Sequence, residues 1–363
     1  MRVVFFIGSI GTIFSLISYI YYRQNFAFAR TLPFALIYLA LAANTVVSRL
    51  LGEDTPALAL KLSSWFAGLW IAFIYYSSLL AIIHLLFWLG SKVISFNLPS
   101  IKIAVAGTVF ILAFISWGTY RAFHPVIRTE HIATEKLPAG QHTKIVLLSD
   151  IHLGRILGRD YAEQLAARVN EQQPDLVLIA GDILDERIAY VSQEDSLAPF
   201  KNISAPLGIW AAYGNHDYLD RPAVWRQMLT DNNINVLQDE SHYIDKLKLT
   251  GLNDYSRRRD DKILMQLSSD NSNYYSILLD HQPRRILPAS EASYDLYLAG
   301  HTHTGQLFPN RLVTQKMYPL DYGRKEFGSL TAITSNGYGF WGPPVRTELA
   351  PEIVVIDLQG NQL

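Results

Sequence analysis

The chain has 363 residues, no cysteine and a formal net charge of −1 at pH 7. Its length suggests two or three domains, and the lack of cysteine excludes disulfides and zinc–thiolate sites. Residues 1–120 carry seven basic and two acidic residues, whereas the remainder carries 24 basic and 30 acidic residues. The acidic C-terminal part argues against a nucleic-acid-binding protein, which needs a basic surface.

Four long apolar runs fill the N-terminal third, at about residues 3–22, 32–51, 64–89 and 101–120. Each has at least the roughly 20 residues that a helix needs to cross a bilayer. Tyrosine and tryptophan gather near the run ends, as they do at membrane interfaces. We therefore predict four transmembrane helices. A cleaved signal peptide is a weaker alternative for the first run, because the run is too long and three more follow. A buried soluble helical domain is also weaker, because no polar face appears at helical spacing.

The orientation in the membrane is indicated by the charges between the runs. Arg23, Arg30 and Lys92 lie in or beside the joins after the first and third runs. By the positive-inside rule these joins are cytoplasmic, which places both chain ends outside the cytoplasm. Arg121 and Arg128 argue for the opposite orientation. We expect an integral membrane protein whose C-terminal part lies outside the cytoplasm.

Two polar side chains, Asn44 and His84, fall inside predicted spans. Polar groups within a membrane are candidates for function. Because neither has a charged partner in the sequence, we expect each to hydrogen-bond a neighbouring helix instead.

A polar connector is predicted at residues 121–143, followed by an α/β pattern from residue 144 to the end. Strands are predicted at residues 144–148, 175–180, 208–213, 234–237, 243–252, 275–279, 294–299, 331–335 and 352–358. Helices are predicted at residues 160–172, with Asp160 as its N-cap, 222–230 and 261–267. In such sheets, functional groups gather beyond the carboxyl ends of the strands.

Polar side chains follow five of these strands. They are Asp150 and His152; Asp182; Asn215, His216 and Asp217; His281; and His301 and His303. Carboxylate, imidazole and amide oxygen are ligands of hard and borderline divalent ions. A carboxylate has two oxygens and can bridge two ions. The set therefore predicts a centre of two metal ions, with one histidine left over for proton transfer.

The order D-x-H, G-D, G-N-H-D, H and G-H-x-H across residues 144–358 resembles the calcineurin-like metallophosphoesterase superfamily. The glycine-rich residues 335–339 are similar to its bacterial membrane-associated branch, and the four apolar runs to its transmembrane members. The resemblance implies a four-layer α/β sandwich, with two mixed β-sheets flanked by helices, over residues 144–363. A helical membrane region at residues 1–120 and the connector would precede it.

The resemblance also implies a role for each site residue. Asp150, His152 and His303 would bind one ion. Asn215, His281 and His301 would bind the other. Asp182 would bridge the two ions, which are Mn, Fe or Zn. His216 would protonate the leaving oxygen, and Asp217 would orient His216, although the family often has glutamate at that position.

The implied activity is hydrolysis of a phosphomonoester, phosphodiester or pyrophosphate by a hydroxide that bridges the ions. The membrane anchor favours a lipid-linked or envelope substrate. A metal-binding scaffold or regulatory membrane protein with a vestigial site is the alternative, and the complete ligand set argues against it. Transport or sensing by the helices is a third hypothesis, but no broken helix or charged pathway supports it. No nucleic acid and no obligate protein partner are expected.

Two further features have alternative interpretations. The run Arg257-Arg258-Arg259 could hold a phosphate or an acidic lipid headgroup, but such a run is more often a solvated loop. Tyr338, Phe340 and Trp341 could form an apolar wall beside a lipid-like substrate or touch the bilayer, with core packing as the equal alternative.

Overall fold

The computed structural model describes residues 2–94 and 99–361. The chain divides into two compact units. One contains the residues up to Arg121 together with Gly342–Thr347, and the other contains Ala122–Trp341 and the residues from Glu348 onward.

Four helices build the first unit: α1 (Arg2–Asn25), α2 (Leu32–Leu50), α3 (Ala57–Val93) and α4 (Ser100–Ala122). Of the described residues, α2, α3 and α4 are long and apolar enough to cross a membrane. The first predicted run falls on α1, part of which lies outside the residues whose side chains are described. The chain is therefore a membrane-associated protein with an apolar helical region.

The polar side chains inside the helices have partners on neighbouring helices. Asn44 Nδ2 donates to the Ser63 carbonyl at 3.0 Å, and Ser63 Oγ donates to Asn44 Oδ1 at 2.9 Å. His84 Nδ1 lies 3.2 Å from the Tyr21 hydroxyl. These bonds confirm the expectation that the two groups join helices. In the same unit, the Arg346 amide donates to the Gly118 carbonyl at 2.9 Å.

The second unit contains two six-stranded mixed sheets. The strands of the first, in spatial order, are β1 (Val126–Thr134), β12 (Glu352–Gly360), β2 (His142–Leu148), β3 (Leu176–Ala180), β4 (Ile209–Ala212) and β5 (Ile234–Leu237). Those of the second are β10 (Gly323–Phe327), β11 (Leu330–Thr334), β9 (Leu296–Ala299), β8 (Tyr275–Leu279), β7 (Leu247–Gly251) and β6 (Glu240–Ile244).

Six helices accompany these sheets. They are α5 (Arg159–Glu171), α6 (Ile188–Gln193), α7 (Pro222–Asp231), α8 (Lys262–Leu267), α9 (Ile286–Glu291) and α10 (Arg311–Met317). Leu147 and Leu178 of the first sheet share one apolar core with Ile277 and Leu298 of the second, so the sheets pack face to face. Helices cover the outer faces, with Leu165 of α5 in the core of the first sheet. Strands covered on both faces are apolar throughout, which explains the unbroken apolar runs that preceded each polar cluster.

The structure differs from the expected elements in its helices and in three places among its strands. Helices α6, α9 and α10 were not predicted, and α5 begins at Arg159 after an N-cap at Gly158, so Asp160 lies in the first turn and is not the N-cap. The segment predicted as a connector contains β1, which pairs in parallel with β12 at the sheet edge. Its exposure alternates along the strand, so no apolar run marks it in the sequence. The single strand predicted at residues 243–252 is the hairpin β6–β7, with Asp245 at φ 51° in the turn. Strand β10 is mostly exposed and lacked an apolar signal.

Candidate metal centre

The expected ligands follow the carboxyl ends of β2, β3, β4, β8 and β9, where the two sheets face each other. Five of them occupy the left-handed region of backbone space, which non-glycine residues rarely adopt. These are Asp150 (φ 51°), His152 (φ 53°), Asp182 (φ 54°), His301 (φ 71°) and His303 (φ 45°). Strained conformations of this kind persist where the surrounding structure requires them, typically at functional sites. Here they turn the ligand side chains of each loop toward the candidate metal centre.

Glycines allow the turns to approach one another closely. A methyl group on Gly214 would lie 2.1 Å from Asp182 Oδ1, and one on Gly300 would lie 2.3 Å from Asp150 Oδ2. Neither position has room for a side chain. Each of these glycines directly precedes an expected ligand, so backbone packing helps to fix the carboxylates.

The donor atoms of the expected ligands form two groups, with Asp150, His152 and His303 in the first and Asp182, His281 and His301 in the second. A third group of His152, Asp182 and His216 connects them. In the first, His152 Nε2 lies 3.1 Å from His303 Nε2, and His303 Nε2 lies 3.4 Å from Asp150 Oδ1. In the second, His281 Nε2 lies 3.2 Å from Asp182 Oδ2 and 3.1 Å from His301 Nδ1. The same oxygen, Asp182 Oδ2, also faces the first group, at 3.8 Å from His152 Nε2. In each group the atoms lie within 4.8 Å of one another.

These residues fit divalent ions. Imidazole nitrogens that face each other at 3.1 Å are arranged to share a cation. The Asn215 Oδ1 atom is buried and has no hydrogen-bond partner among the described residues, so a lone pair is left for a ligand. His281 Nδ1 donates to the Ala180 carbonyl at 2.7 Å, which leaves Nε2 as the coordinating atom.

Metal binding requires neutral imidazole and ionised carboxylate, and the pKa shifts of the expected ligands divide on this point. Burial lowers the pKa of His281, but the Asp182 carboxylate outweighs burial and raises that pKa well above its usual range, so a metal ion would have to displace this proton. Burial also lowers the pKa of His152, but Asp185 and Asp182 outweigh it and raise that pKa as well. The other two shifts favour metal binding. Burial, and then the charge of His281, lower the pKa of His301 to about 3. Burial raises the pKa of Asp182, but His281 and His216 outweigh it and hold that pKa well below its usual range.

The expected proton donor, His216, lies at the edge of this centre. Its amide donates to Asp182 Oδ1 at 2.8 Å, and its Nδ1 donates to the Asp185 carbonyl at 2.5 Å. The Asp185 carboxylate lies 3.7 Å from His216 Nδ1 and 3.6 Å from His152 Nδ1. Nε2 is thus the His216 nitrogen available to a substrate. Our sequence analysis missed Asp185, although its position three residues after Asp182, in Gly-Asp-Ile-Leu-Asp, was a usable signal.

The structure gives Asp217 a different role from the one expected. Its buried carboxylate accepts hydrogen bonds from the amides of residues 182–184 and of Gly214, and from Trp225 Nε1, at 2.8–3.1 Å. Within the described chain, no hydrogen bond joins Asp217 to the His216 ring. Burial, followed by the nearby Asp182 charge, raises the pKa of Asp217 to about 6. Asp217 therefore ties the turns after β3 and β4 together, whereas Asp185 contacts the imidazole.

The three aromatic side chains at residues 338–341 were expected to form either an apolar wall or part of the core, and the structure shows both. Tyr338 and Phe340 are buried in the core of the first sheet. Trp341 is 36% exposed, and its ring centroid lies 5.9 Å from that of His216. Gln306 holds Trp341 through hydrogen bonds of 3.0 Å to its backbone N–H and C=O. Trp341 is thus the one of the three that forms a wall beside His216.

Comparison with known proteins agrees with this geometry. The family model for calcineurin-like phosphoesterases matches residues 143–305. An uncharacterized metallophosphoesterase of Helicobacter pylori is 33% identical over 259 residues, which cover 69% of each chain. A zebrafish (Danio rerio) transmembrane protein with a metallophosphoesterase domain is 30% identical over 280 residues, covering 72% of this chain and 63% of that protein. The chain therefore belongs to the calcineurin-like phosphoesterase family and is a metal-dependent phosphoesterase.

Proposed function

We propose that this protein is a membrane-anchored hydrolase of a phosphomonoester, phosphodiester or pyrophosphate that works with two divalent ions. The observation that carries the proposal is the position of Asp182 Oδ2 beside both donor groups, 3.8 Å from His152 Nε2 and 3.2 Å from His281 Nε2. Asp150, His152 and His303 would hold one ion, Asn215, His281 and His301 the other, and Asp182 both. Two such ions supply a nucleophile at neutral pH and neutralise charge on the phosphoryl group.

The protein's own residues would position the substrate and move the proton. His216 would give the proton on Nε2 to the leaving oxygen, because its Nδ1 proton is engaged by the Asp185 carbonyl. Trp341 would exclude water from one side of the leaving group, since its ring lies against the His216 ring.

The apolar helices favour a lipid-linked or envelope substrate, such as a nucleotide-linked glycolipid or an isoprenoid phosphate. We further propose a bacterial inner membrane as the location and an extracytoplasmic catalytic domain, on the basis of the basic joins between the apolar runs. A tag at the C-terminus that is accessible to an impermeant reagent in intact spheroplasts would support this orientation, and a protected tag would reverse it.

A phosphoester panel tests the proposed activity. The full chain in detergent or nanodiscs would be assayed with p-nitrophenyl phosphate, bis-p-nitrophenyl phosphate and lipid pyrophosphates, with Mn²⁺, Fe²⁺ or Zn²⁺ added. We expect hydrolysis of at least one substrate, and loss of that activity in Asp182→Asn. Asp160→Asn is the matched control, because Asp160 is exposed on α5. Equal hydrolysis by the parent and Asp182→Asn, or none by the metal-loaded parent, would favour the vestigial scaffold.

A further inference from the structure

An exposed arginine lies beside the second donor group and is not used by the proposed mechanism. The Arg284 guanidinium stacks on the Tyr318 ring, 4.7 Å from its centroid. The other contact of this ring is edge-on with the His301 imidazole, at 5.9 Å between centroids. The Tyr318 ring therefore contacts both the Arg284 cation and His301, an expected metal ligand.

A second exposed arginine lies beside the loop of the proton donor. The Arg257 guanidinium lies 4.8 Å from the centroid of the Tyr218 ring, and its Nη2 donates to the Tyr218 carbonyl at 3.3 Å. Tyr218 ends the short 3₁₀ helix that begins with His216. Arg257 and Tyr218 also line a cavity of about 850 Å³, whose other polar lining residues are Asn253, Arg258, Asp239 and Asp260. This space is large enough for part of a substrate beyond the reacting phosphoryl group.

The two arginines differ from their neighbours in lacking an acidic partner. Arg258 pairs with Asp239 at 3.0 Å, and Arg285 pairs with Asp280 at 3.0 Å and with Asp261 at 3.1 Å. For Arg257 and Arg284, the described residues provide only tyrosine rings, a backbone carbonyl and the Gln282 side chain. Neither guanidinium therefore has a carboxylate within ion-pair distance among the described residues, although Asp260 lines the same cavity as Arg257.

A buried hydrogen-bond network orders the two segments that carry these arginines. The carboxylate of Asp254, which is fully buried, accepts hydrogen bonds from Gln282 Nε2 at 3.0 and 3.1 Å. Gln282 Oε1 in turn accepts from Arg284 Nε at 3.0 Å. The backbone carbonyl of Asp254 accepts from the Arg257 amide at 2.8 Å. One buried aspartate therefore orders the segments that carry both arginines, which lowers the entropic cost of binding an anion.

We infer that Arg257 and Arg284 form a subsite for a second anionic group of the substrate, outside the phosphoryl group that reacts. A phosphate is the ligand that matches, because a guanidinium binds its oxygens through paired N–H donors. The inference rests on the proposed function and narrows it to substrates with two phosphates, such as a diphosphate ester. Hydrolysis of its terminal phosphoryl group adds water across the P–O–P bond and gives inorganic phosphate and a monophosphate ester.

A matched pair of substrates tests the subsite. Initial rates of phosphate release would be measured for geranyl diphosphate and geranyl phosphate, which differ by one phosphate. The ratio of their kcat/KM values should favour the diphosphate in the parent. It should fall by about tenfold or more in Arg284→Ala and in Arg257→Ala, as expected for loss of a charged hydrogen bond. Arg284→Lys should restore part of the ratio, because it keeps the charge without the planar fork. Arg159→Ala, an exposed arginine on α5, should keep the parent ratio.

An unchanged ratio in both alanine variants, with hydrolysis intact, overturns the subsite but leaves the proposed function standing. A lipid headgroup is the other possible source of the bound phosphate. The same assay in nanodiscs with and without phosphatidylglycerol distinguishes it from the substrate. If the variants change only the response to this lipid, the arginines bind headgroups and the inference is wrong.

Binding gives an answer that does not depend on turnover. Titration of the metal-loaded His216→Ala protein with each geranyl compound should show tighter binding of the diphosphate, and addition of Arg284→Ala should remove most of that difference. If the parent hydrolyses neither compound but this preference is present, the proposed hydrolysis fails and the subsite stands. Equal binding of both compounds before and after the arginine change contradicts the subsite.

Discussion

Substitution of Gly300 by alanine tests whether backbone packing places the Asp150 carboxylate. The added Cβ would lie 2.3 Å from Asp150 Oδ2 and 2.5 Å from Ser149 Oγ. Non-bonded heavy atoms rest at about 3.5 Å, so the carboxylate must retreat by about 1 Å. Overpacking of this kind costs about 1–3 kcal/mol of stability. Misplacing a metal-site group weakens metal affinity by about 10–100-fold.

The assay is chelator competition on the purified full chain, with metal content read by mass spectrometry and folding checked by thermal unfolding. Gly52→Ala is the control, because Gly52 has no heavy atom within 4 Å of an added Cβ. We expect Gly300→Ala to remain folded but to release metal at a chelator concentration that leaves the parent and Gly52→Ala loaded. Parent-like metal affinity in a folded Gly300→Ala protein would refute the inference that this close approach fixes the ligand.

Three further substitutions test other parts of the second unit. His216→Ala should keep its metal and lose about 100-fold or more in rate on esters with poor leaving groups, with much less loss on p-nitrophenyl esters; equal losses on both would exclude a proton donor. Arg285→Met should cost about 3–5 kcal/mol in denaturant unfolding, because it leaves the buried Asp280 carboxylate without its cation; a cost below about 1 kcal/mol would contradict this. Hydrogen bonds from Lys248, and then from Tyr243, hold the pKa of Asp270 below its usual 3.8. The ionised Asp270 carboxylate therefore stabilises the fold above about pH 4, and this contribution is lost as the pH falls through the folded-state pKa. Lys248→Met should therefore flatten the fall in thermal stability below pH 4, and an unchanged acid profile would count against it.

The sequence predicted the parts of the fold in which burial leaves a pattern. Strands such as β3 are covered on both faces, so they read as unbroken apolar runs that end at a polar cluster. The edge strands β1 and β10 were not predicted, because they are largely exposed and carry charged side chains. The β6–β7 hairpin was merged into one strand, since its turn at Asp245 uses a left-handed residue other than glycine.

The candidate ligands were easier to predict from the sequence than the hydrogen bonds around them. All seven expected ligands lie at strand ends, with the charged and imidazole ligands in two compact groups. The contacts of Asp217 and Asp185 depend on how the turns after β3 and β4 fold against each other. The spacing after Asp182 marks Asp185 as a candidate, but no spacing or motif shows which groups Asp185 and Asp217 contact. The anion subsite was equally hidden, because Arg258 and Arg257 are adjacent in sequence and only the fold gives one of them a carboxylate partner.

The central claim is that seven side chains meet around two ions and that Asp182 holds both. Metal analysis of the purified full chain beside Asp182→Asn tests it most directly, with phosphoester turnover measured on the same samples. The account predicts two divalent ions per parent chain, and loss of both ions and of turnover in folded Asp182→Asn. Equal metal content in the two proteins, or a parent that binds no divalent ion from any of the metals supplied, would contradict it.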